Sequence, residues 1–223
     1  MDINNIIRTL IISAPALLIA ITFHEASHGY VAHRLGDPTA KVMGRLTLNP
    51  IAHIDIVGTI IMPIMLLFFT NGNFVFGYAK PVPINPANFQ DPKKHMAISA
   101  AAGPITNIVL AFISVLIIKI LLPIIIFILP GSLAQSFGEP LTYMLMKSIQ
   151  WNVLLAVFNL IPIPPLDGGR VLTGFLPQKQ AFAYSKIEPY GMMIVILLIV
   201  TGMAQLFIVP VMTFIYSLIL LIL

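Results

Sequence analysis

At 223 residues, 58% hydrophobic and only 9% charged, the chain lies far outside soluble globular composition, where about 45–50% of residues are apolar and about 25% are charged. A conventional soluble domain is excluded, and several membrane crossings are implied. The formal charge of +4 comes from 12 Lys and Arg scattered between apolar runs, which topology explains without nucleic acid; the lack of cysteine excludes disulfides, Cys-ligated zinc and a cysteine nucleophile.

The first apolar run extends from Ile6 to about Tyr30, ample for the roughly 20 residues that cross hydrocarbon. The residues before it, Met1-Asp2-Ile3-Asn4-Asn5, lack the basic cluster of a cleaved signal peptide, so this run is expected to be retained. Its C-terminal half contains His24-Glu25-Ala26-Ser27-His28. On a helix, residues i and i+4 share a face, so His24 and His28 can offer two imidazole nitrogens to one metal ion. Glu25 is then placed to act as a general base, taking a proton from water and passing it to a leaving amine. Such a short pattern also arises by chance, and buried histidines are often plain core residues. The setting decides between the two readings: a charged side chain at the centre of a membrane helix costs roughly 2.5–3.5 kcal/mol. Metal ligation offsets that cost.

The second apolar run, Ile56 to Phe69, is short and interrupted by Pro63. The third, Ala97 to Leu129, is longer than a crossing needs, and Lys119 and Pro123 mark where it bends or leaves the bilayer. Leu141 to Leu160 is the fourth, and Tyr190 to Leu223 forms a final apolar stretch that Gly202 to Gln205 either splits or bends. Lys41 to Leu48 and Phe74 to Tyr78 read as short strands, with an edge on which an extended substrate can dock. Arg34, Lys41, Arg45, Lys80, Lys93 and Lys94 lie between the first and third runs, and Arg170, Lys179 and Lys186 follow the fourth, whereas Pro130 to Pro140 holds no Lys or Arg. The basic sections are therefore expected in the cytoplasm. Because basic residues flank Ile56 to Phe69 on both sides, that run is expected to be re-entrant or packed on the core. The expected fold is an all-α polytopic membrane protein with about 4–6 transmembrane helices, a small β-hairpin or sheet, and a re-entrant segment on the cytoplasmic side. Residues 1–223 read as one membrane-embedded domain, with a core of about 6–172 and C-terminal helices at 190–223.

A third ligand comes from the end of the fourth run, Asn159-Leu160-Ile161-Pro162-Ile163-Pro164-Pro165-Leu166-Asp167-Gly168-Gly169, where prolines break the helix and two glycines free the backbone beside an acid. Asp167 completes the set of three protein ligands typical of catalytic zinc. A plain turn at the membrane edge is the simpler alternative. Asp37 and Asp55 are competing acids, but Asp37 sits in a Gly-Asp-Pro turn where an Asx role is ordinary. His53 and His95 read as surface residues, and His33 as a cap or headgroup contact. A metzincin needs a third histidine at position 34, which is Arg34, so that arrangement is excluded.

Taken together, His24-Glu25-Ala26-Ser27-His28, Gly103-Pro104-Ile105-Thr106-Asn107 and the Asn-x-x-Pro-x-Pro-x-Leu-Asp-Gly string from Asn159 resemble the site-2 protease family of intramembrane zinc metalloproteases. Gly36-Asp37-Pro38-Thr39-Ala40 and the stretch from Phe76 to Pro83 are similar to its compact prokaryotic members, which lack PDZ and CBS modules. The resemblance runs from about Ile6 to Leu172; beyond Tyr190 it is only apolar character. It implies one Zn2+ per chain on His24, His28 and Asp167, Glu25 as catalytic base, and Asn159 and Asn107 as residues that hold substrate or polarise its carbonyl. Both asparagines also have a structural reading, as amides that satisfy freed backbone groups. The implied activity is hydrolysis of peptide bonds in or near transmembrane segments of membrane proteins. Implied partners are a transmembrane substrate, the bilayer and a regulatory membrane protein, with no nucleic acid; the implied location is a prokaryotic plasma membrane with the site toward the cytoplasm. The rival reading is a non-catalytic metal-binding protein or transporter using the same ligands, for which Glu25 has no use.

Overall fold

Helices in lipid gain little from burying apolar surface against one another, so close packing and polar contacts must hold them together. The computed structural model describes residues 3–69 and 77–221 and shows that arrangement. Helix α1 (Ile3–Arg34), 32 residues and about 48 Å long, is followed by the short α2 (Thr39–Val42). A π-helical turn at Ile56–Ile61 leads into α3 (Met62–Phe69), and a non-helical stretch over 77–85 returns the chain to α4 (Pro92–Leu116). Asp91 caps α4 by accepting from the Lys94 N–H at 3.0 Å, with Pro92 in the first turn where its missing N–H costs nothing. A π-helical turn at Ile117–Leu121, which contains Lys119, joins α4 to α5 (Leu122–Ile128). Then come α6 (Gly131–Asn159), the proline-rich loop, α7 (Asp167–Phe175), α8 (Gln178–Ser185), α9 (Glu188–Val200) and α10 (Gln205–Leu220).

Helices α1, α4 and α6 pack on one another, and α7 packs on α4. Ala111 and Val115 of α4 meet Ile149, Val153 and Val157 of α6, spaced one turn apart, with Ile219 of α10 closing the cluster. Ser114 and Ser148 hydrogen-bond across the same interface at 2.9 Å. Ala16 and Ala20 are buried small residues on α1, the kind that lets membrane helices approach closely.

The helical class agrees with expectation. Among the described residues, two helices are long and apolar enough to cross a membrane, Pro92–Ile128 and Ser136–Asn159, or three if α8 and α9, bent by 66°, form one span. Gly202, at φ +76°, breaks the C-terminal run into helices of 13 and 16 residues, each shorter than a standard crossing.

The expected hairpin is a correction: there is no β-strand among the described residues. Lys41 and Val42 lie in α2, and the chain turns at Gly44 (φ +66°). Of the second proposed strand, residues 74–76 fall outside the described residues, and Gly77 and Tyr78 form no ladder. Beyond it, Pro81 and Pro83 have no N–H to donate, so no ladder forms further along either. The Arg45 guanidinium does the tethering, donating to the carbonyls of Lys80 and Pro81 at 2.9 and 3.3 Å. An edge for substrate at Val42 therefore loses its basis. The second apolar run returns to its starting level: the Tyr78 N–H donates to the Gly58 carbonyl at 3.0 Å, and the Thr59 hydroxyl to the Tyr78 carbonyl at 2.8 Å.

Asp37 ties this loop layer together. Its buried carboxylate accepts from the Thr39 N–H at 3.0 Å, the Thr39 hydroxyl, the Asn88 amide at 2.7 Å and the Asn85 N–H at 2.7 Å. Burial opposes the charge, but these donors prevail and hold the carboxyl below the ordinary carboxylate range. Folding thus favours the ionised form, so its contribution is complete above about pH 4 and is lost as pH falls through the lower folded value. Asp37→Asn presents an N–H to at least one donor and is expected to cost on the order of 3 kcal/mol, read as a lower thermal midpoint in detergent at pH 7. The gap between variant and wild type should narrow below about pH 4.

Candidate metal centre

Three helices meet at the centre. From α1, His24 and His28 project one turn apart, their rings edge to face with centroids 4.7 Å apart. From α4, Ser99, Gly103 and Asn107 form a stripe at i, i+4 and i+8 that faces them in antiparallel register. The Nδ1–H of His28 donates to the Ser99 carbonyl at 2.8 Å, and the Ser99 hydroxyl donates to the His28 carbonyl at 3.0 Å. The Nδ1–H of His24 donates to the Asn107 amide oxygen. Between these contacts sits Gly103, where a Cβ would lie 2.4 Å from His28 Nε2 and 2.6 Å from His24 Nε2.

Asp167 enters from the first turn of α7. The loop before it folds tightly over the helix start: a Cβ on Gly168 would lie 2.2 Å from the Leu160 carbonyl oxygen, and one on Gly169 would lie 2.3 Å from the Pro164 nitrogen. Neither glycine has a positive φ, so they serve close approach and not the backbone freedom expected from the sequence. Asp167 Oδ2 lies 3.1 Å from His24 Nε2 and 3.3 Å from His28 Nε2, with all three residues buried.

The donor chemistry fits a cation. Each histidine has its Nδ1–H engaged by a fixed acceptor, so in the neutral ring each Nε2 points a lone pair at the centre, where the carboxylate adds another. With zinc bonds of about 2.0–2.1 Å, the corners of a tetrahedron are roughly 3.3–3.4 Å apart, close to the observed Nε2 to Oδ2 separations. Among the described residues, this is the one group of three His, Cys, Asp or Glu side chains within reach of a single ion.

Glu25, half-buried beside the cluster, accepts at Oε2 from the Val82 backbone N–H at 2.9 Å. Gly29 makes room for that contact, since a Cβ there would lie 2.8 Å from a Val82 methyl. A backbone donor has no sequence identity, so no motif reveals it. The other candidate ligands lie elsewhere. Asp37 is the loop tie described above, and Asp55 caps the π-helical turn by accepting from the Gly58 N–H at 2.7 Å. His53 is buried, not on the surface as expected, and its Nε2–H donates to the Thr47 carbonyl at 2.9 Å. His95 is half-buried against Phe89, with ring centroids 5.7 Å apart. Asn107 stands behind His24 with its amide fully engaged inside the protein, donating to the Ala20 carbonyl at 3.1 Å and to Asn152 at 2.7 Å. Asn159 is half-buried at the end of α6, its amide donating to the Leu155 carbonyl at 2.9 Å.

A family model, Peptidase family M50, matches residues 119–202, the part of the chain that contains Asp167. YwhC of Bacillus subtilis, named as a candidate zinc metalloprotease, is 35% identical over 189 residues, 85% of this chain and 80% of that protein. The chain belongs to peptidase family M50. A candidate zinc metalloprotease of Methanocaldococcus jannaschii is 30% identical over 169 residues, 76% of this chain and 73% of its own length. Rip2 of Mycolicibacterium smegmatis, named in the same way, is 26% identical over 188 residues, 82% of this chain and 64% of that protein. No solved structure matches. Membership in this family of site-2 proteases makes the chain a zinc metalloprotease embedded in a membrane, and the alternative of a non-catalytic metal protein is not favoured.

Proposed function

We propose that His24, His28 and Asp167 hold the zinc of this M50 metalloprotease and that Glu25 is its general base, in a site that cuts peptide bonds in or near transmembrane segments of other proteins. The observation that supports this most is the convergence of three candidate ligand atoms from α1 and α7 at the spacing of a tetrahedral ion. Zinc held there supplies Lewis acidity, polarising a peptide carbonyl and making water acidic near neutral pH. Glu25 is beside the ligands without being one of them. With Oε2 steadied by the Val82 N–H, its remaining lone pairs can take a proton from attacking water and return it to the departing amine. We assign the half-buried Asn159 to substrate binding: its amide, which donates to the Leu155 carbonyl, can turn to a substrate carbonyl. We assign Asn107 to holding His24 and not to contacting substrate.

The apolar length of α1 supports a further crossing antiparallel to α4, and the return of Tyr78 to Gly58 supports a re-entrant excursion between them. The basic residues around that excursion favour a cytoplasmic face for the site, in a prokaryotic plasma membrane. A helical substrate must unwind first, because its carbonyls are engaged in hydrogen bonds to i+4 amides. The test compares wild type, Glu25→Gln and Asp167→Ala on a single-span substrate, with bound zinc assayed in each. Glu25→Gln is expected to keep zinc and lose cleavage by a factor of about 100 or more, and Asp167→Ala to lose zinc. Zinc binding without cleavage of any helical or unfolded substrate, unaffected by Glu25→Gln, contradicts the protease reading.

A further inference from the structure

A histidine is a metal ligand only while its free lone pair points at the metal, so whatever fixes its protonated nitrogen controls the site. For His28 that anchor is a backbone carbonyl, which can only accept. For His24 it is the Asn107 side chain, and an amide can flip, offering N–H where oxygen stood. A flipped Asn107 would face Nδ1 with a donor, drive its proton to Nε2, and remove the lone pair from the centre.

We propose that Asn152, a fully buried residue of α6, is the positioning residue that prevents this flip. The inference rests on the reading of His24 as a zinc ligand. The Asn152 amide nitrogen donates to the Ser148 carbonyl at 2.9 Å and to the Ser148 hydroxyl at 3.2 Å. Because the carbonyl can only accept, the Asn152 oxygen must face the other way, toward Asn107. There it accepts one N–H of Asn107 at 2.7 Å, while the Ala20 carbonyl accepts the other at 3.1 Å. With both N–H groups spent on pure acceptors, only the Asn107 oxygen remains for His24. The sequence of contacts from Ser148 through Asn152 and Asn107 to His24 links α6, α4 and α1, and every step has one allowed direction. The hydrogen bonds of Asn152 go to Asn107 and Ser148 and not to the ligand side chains or Glu25, and it lies outside the His24 to His28 pentapeptide and the proline motif.

The test is zinc affinity, measured by competition with a chelator of known strength, for wild type, Asn152→Leu, Asn152→Asp and Asp167→Ala, with the thermal midpoint of each metal-free protein. Asn152→Leu keeps the branched outline but removes the acceptor, and its zinc affinity should fall about 10–100-fold, the usual loss when a ligand's hydrogen-bond partner is removed. The Asn152→Asp carboxyl, kept neutral by its buried setting, has an acceptor for Asn107 and an O–H for the Ser148 carbonyl, so it should restore wild-type affinity. A role limited to packing or stability predicts the same affinity loss for both variants, and that result overturns the inference, as does wild-type affinity in Asn152→Leu. Should Asn152→Leu not accumulate as folded protein, Asn152→Ala reads the same quantity against Asn152→Asp. Retention of zinc by Asp167→Ala, or its absence from wild type, overturns instead the ligand assignment on which the inference depends.

Discussion

Gly103→Ala is expected to abolish cleavage and reduce zinc affinity by more than about 100-fold, beyond the range for losing a ligand's hydrogen-bond partner. The added methyl would lie 2.4 Å from His28 Nε2 and 2.6 Å from His24 Cε1 and Nε2, well inside van der Waals contact. Neither ring can yield in place, because His28 is tied to the Ser99 carbonyl and His24 to Asn107. One or both must rotate away, and the lone pairs go with them. On helix propensity alone the change should help, since alanine is favoured over glycine in a helix interior by about 1 kcal/mol. The two effects thus have opposite signs: propensity predicts a modest rise in the thermal midpoint, whereas crowding at the centre predicts lost zinc. Zinc content and the melting curve of the purified variant separate them. Wild-type zinc affinity in Gly103→Ala would place the ion somewhere other than between α1 and α4.

The proposed ligands, the two histidines and Asp167, were legible because ligation needs specific side chains at a helical spacing and at a broken helix end, and both are local patterns. Their supports were not. Ser99 acts through its backbone carbonyl and Val82 through its N–H, and any residue but proline supplies the latter. The register Ser99, Gly103, Asn107 was available as a one-turn repeat of small and polar residues in an apolar run, yet only the partner helix shows what it faces. Asn152 sits two turns before Asn159, and nothing local distinguishes it from an amide that satisfies its own helix. The hairpin was misread for the opposite reason. Short β-branched and aromatic runs suggested strands, but Lys41 and Val42 join a helix, and the Arg45 guanidinium, not a paired strand, holds the carbonyls of Lys80 and Pro81. The C-terminal helices had no readable role, because apolarity alone does not say which helix face meets which loop.

That last gap yields the second large effect. Gly191 of α9 lies against the loop that delivers Asp167: a Cβ there would stand 1.5 Å from the Pro164 carbonyl oxygen and 2.6 Å from its carbon. Since an ordinary C to O contact is about 3.3–3.6 Å, α9 or the loop must give by roughly 2 Å to admit a single methyl. The obstacle is backbone, not the end of a flexible side chain, and Pro164 is hemmed in from the other side by Gly169, where a Cβ would meet its nitrogen at 2.3 Å. Val195 of α9 further packs with Ile161 and Leu166, so α9 cannot lift at one end without disturbing the loop along its length. Gly191→Ala is therefore expected to displace Asp167 from the two histidines. A misplacement of about 1 Å in a catalytic group costs on the order of 100-fold in rate, and overpacking adds about 1–3 kcal/mol of instability. Cleavage should fall steeply with a weaker hold on zinc, although residue 191 lies outside every motif. A Gly191→Ala protein with wild-type cleavage and zinc affinity would mean that the loop before Asp167 holds its shape without α9 behind it.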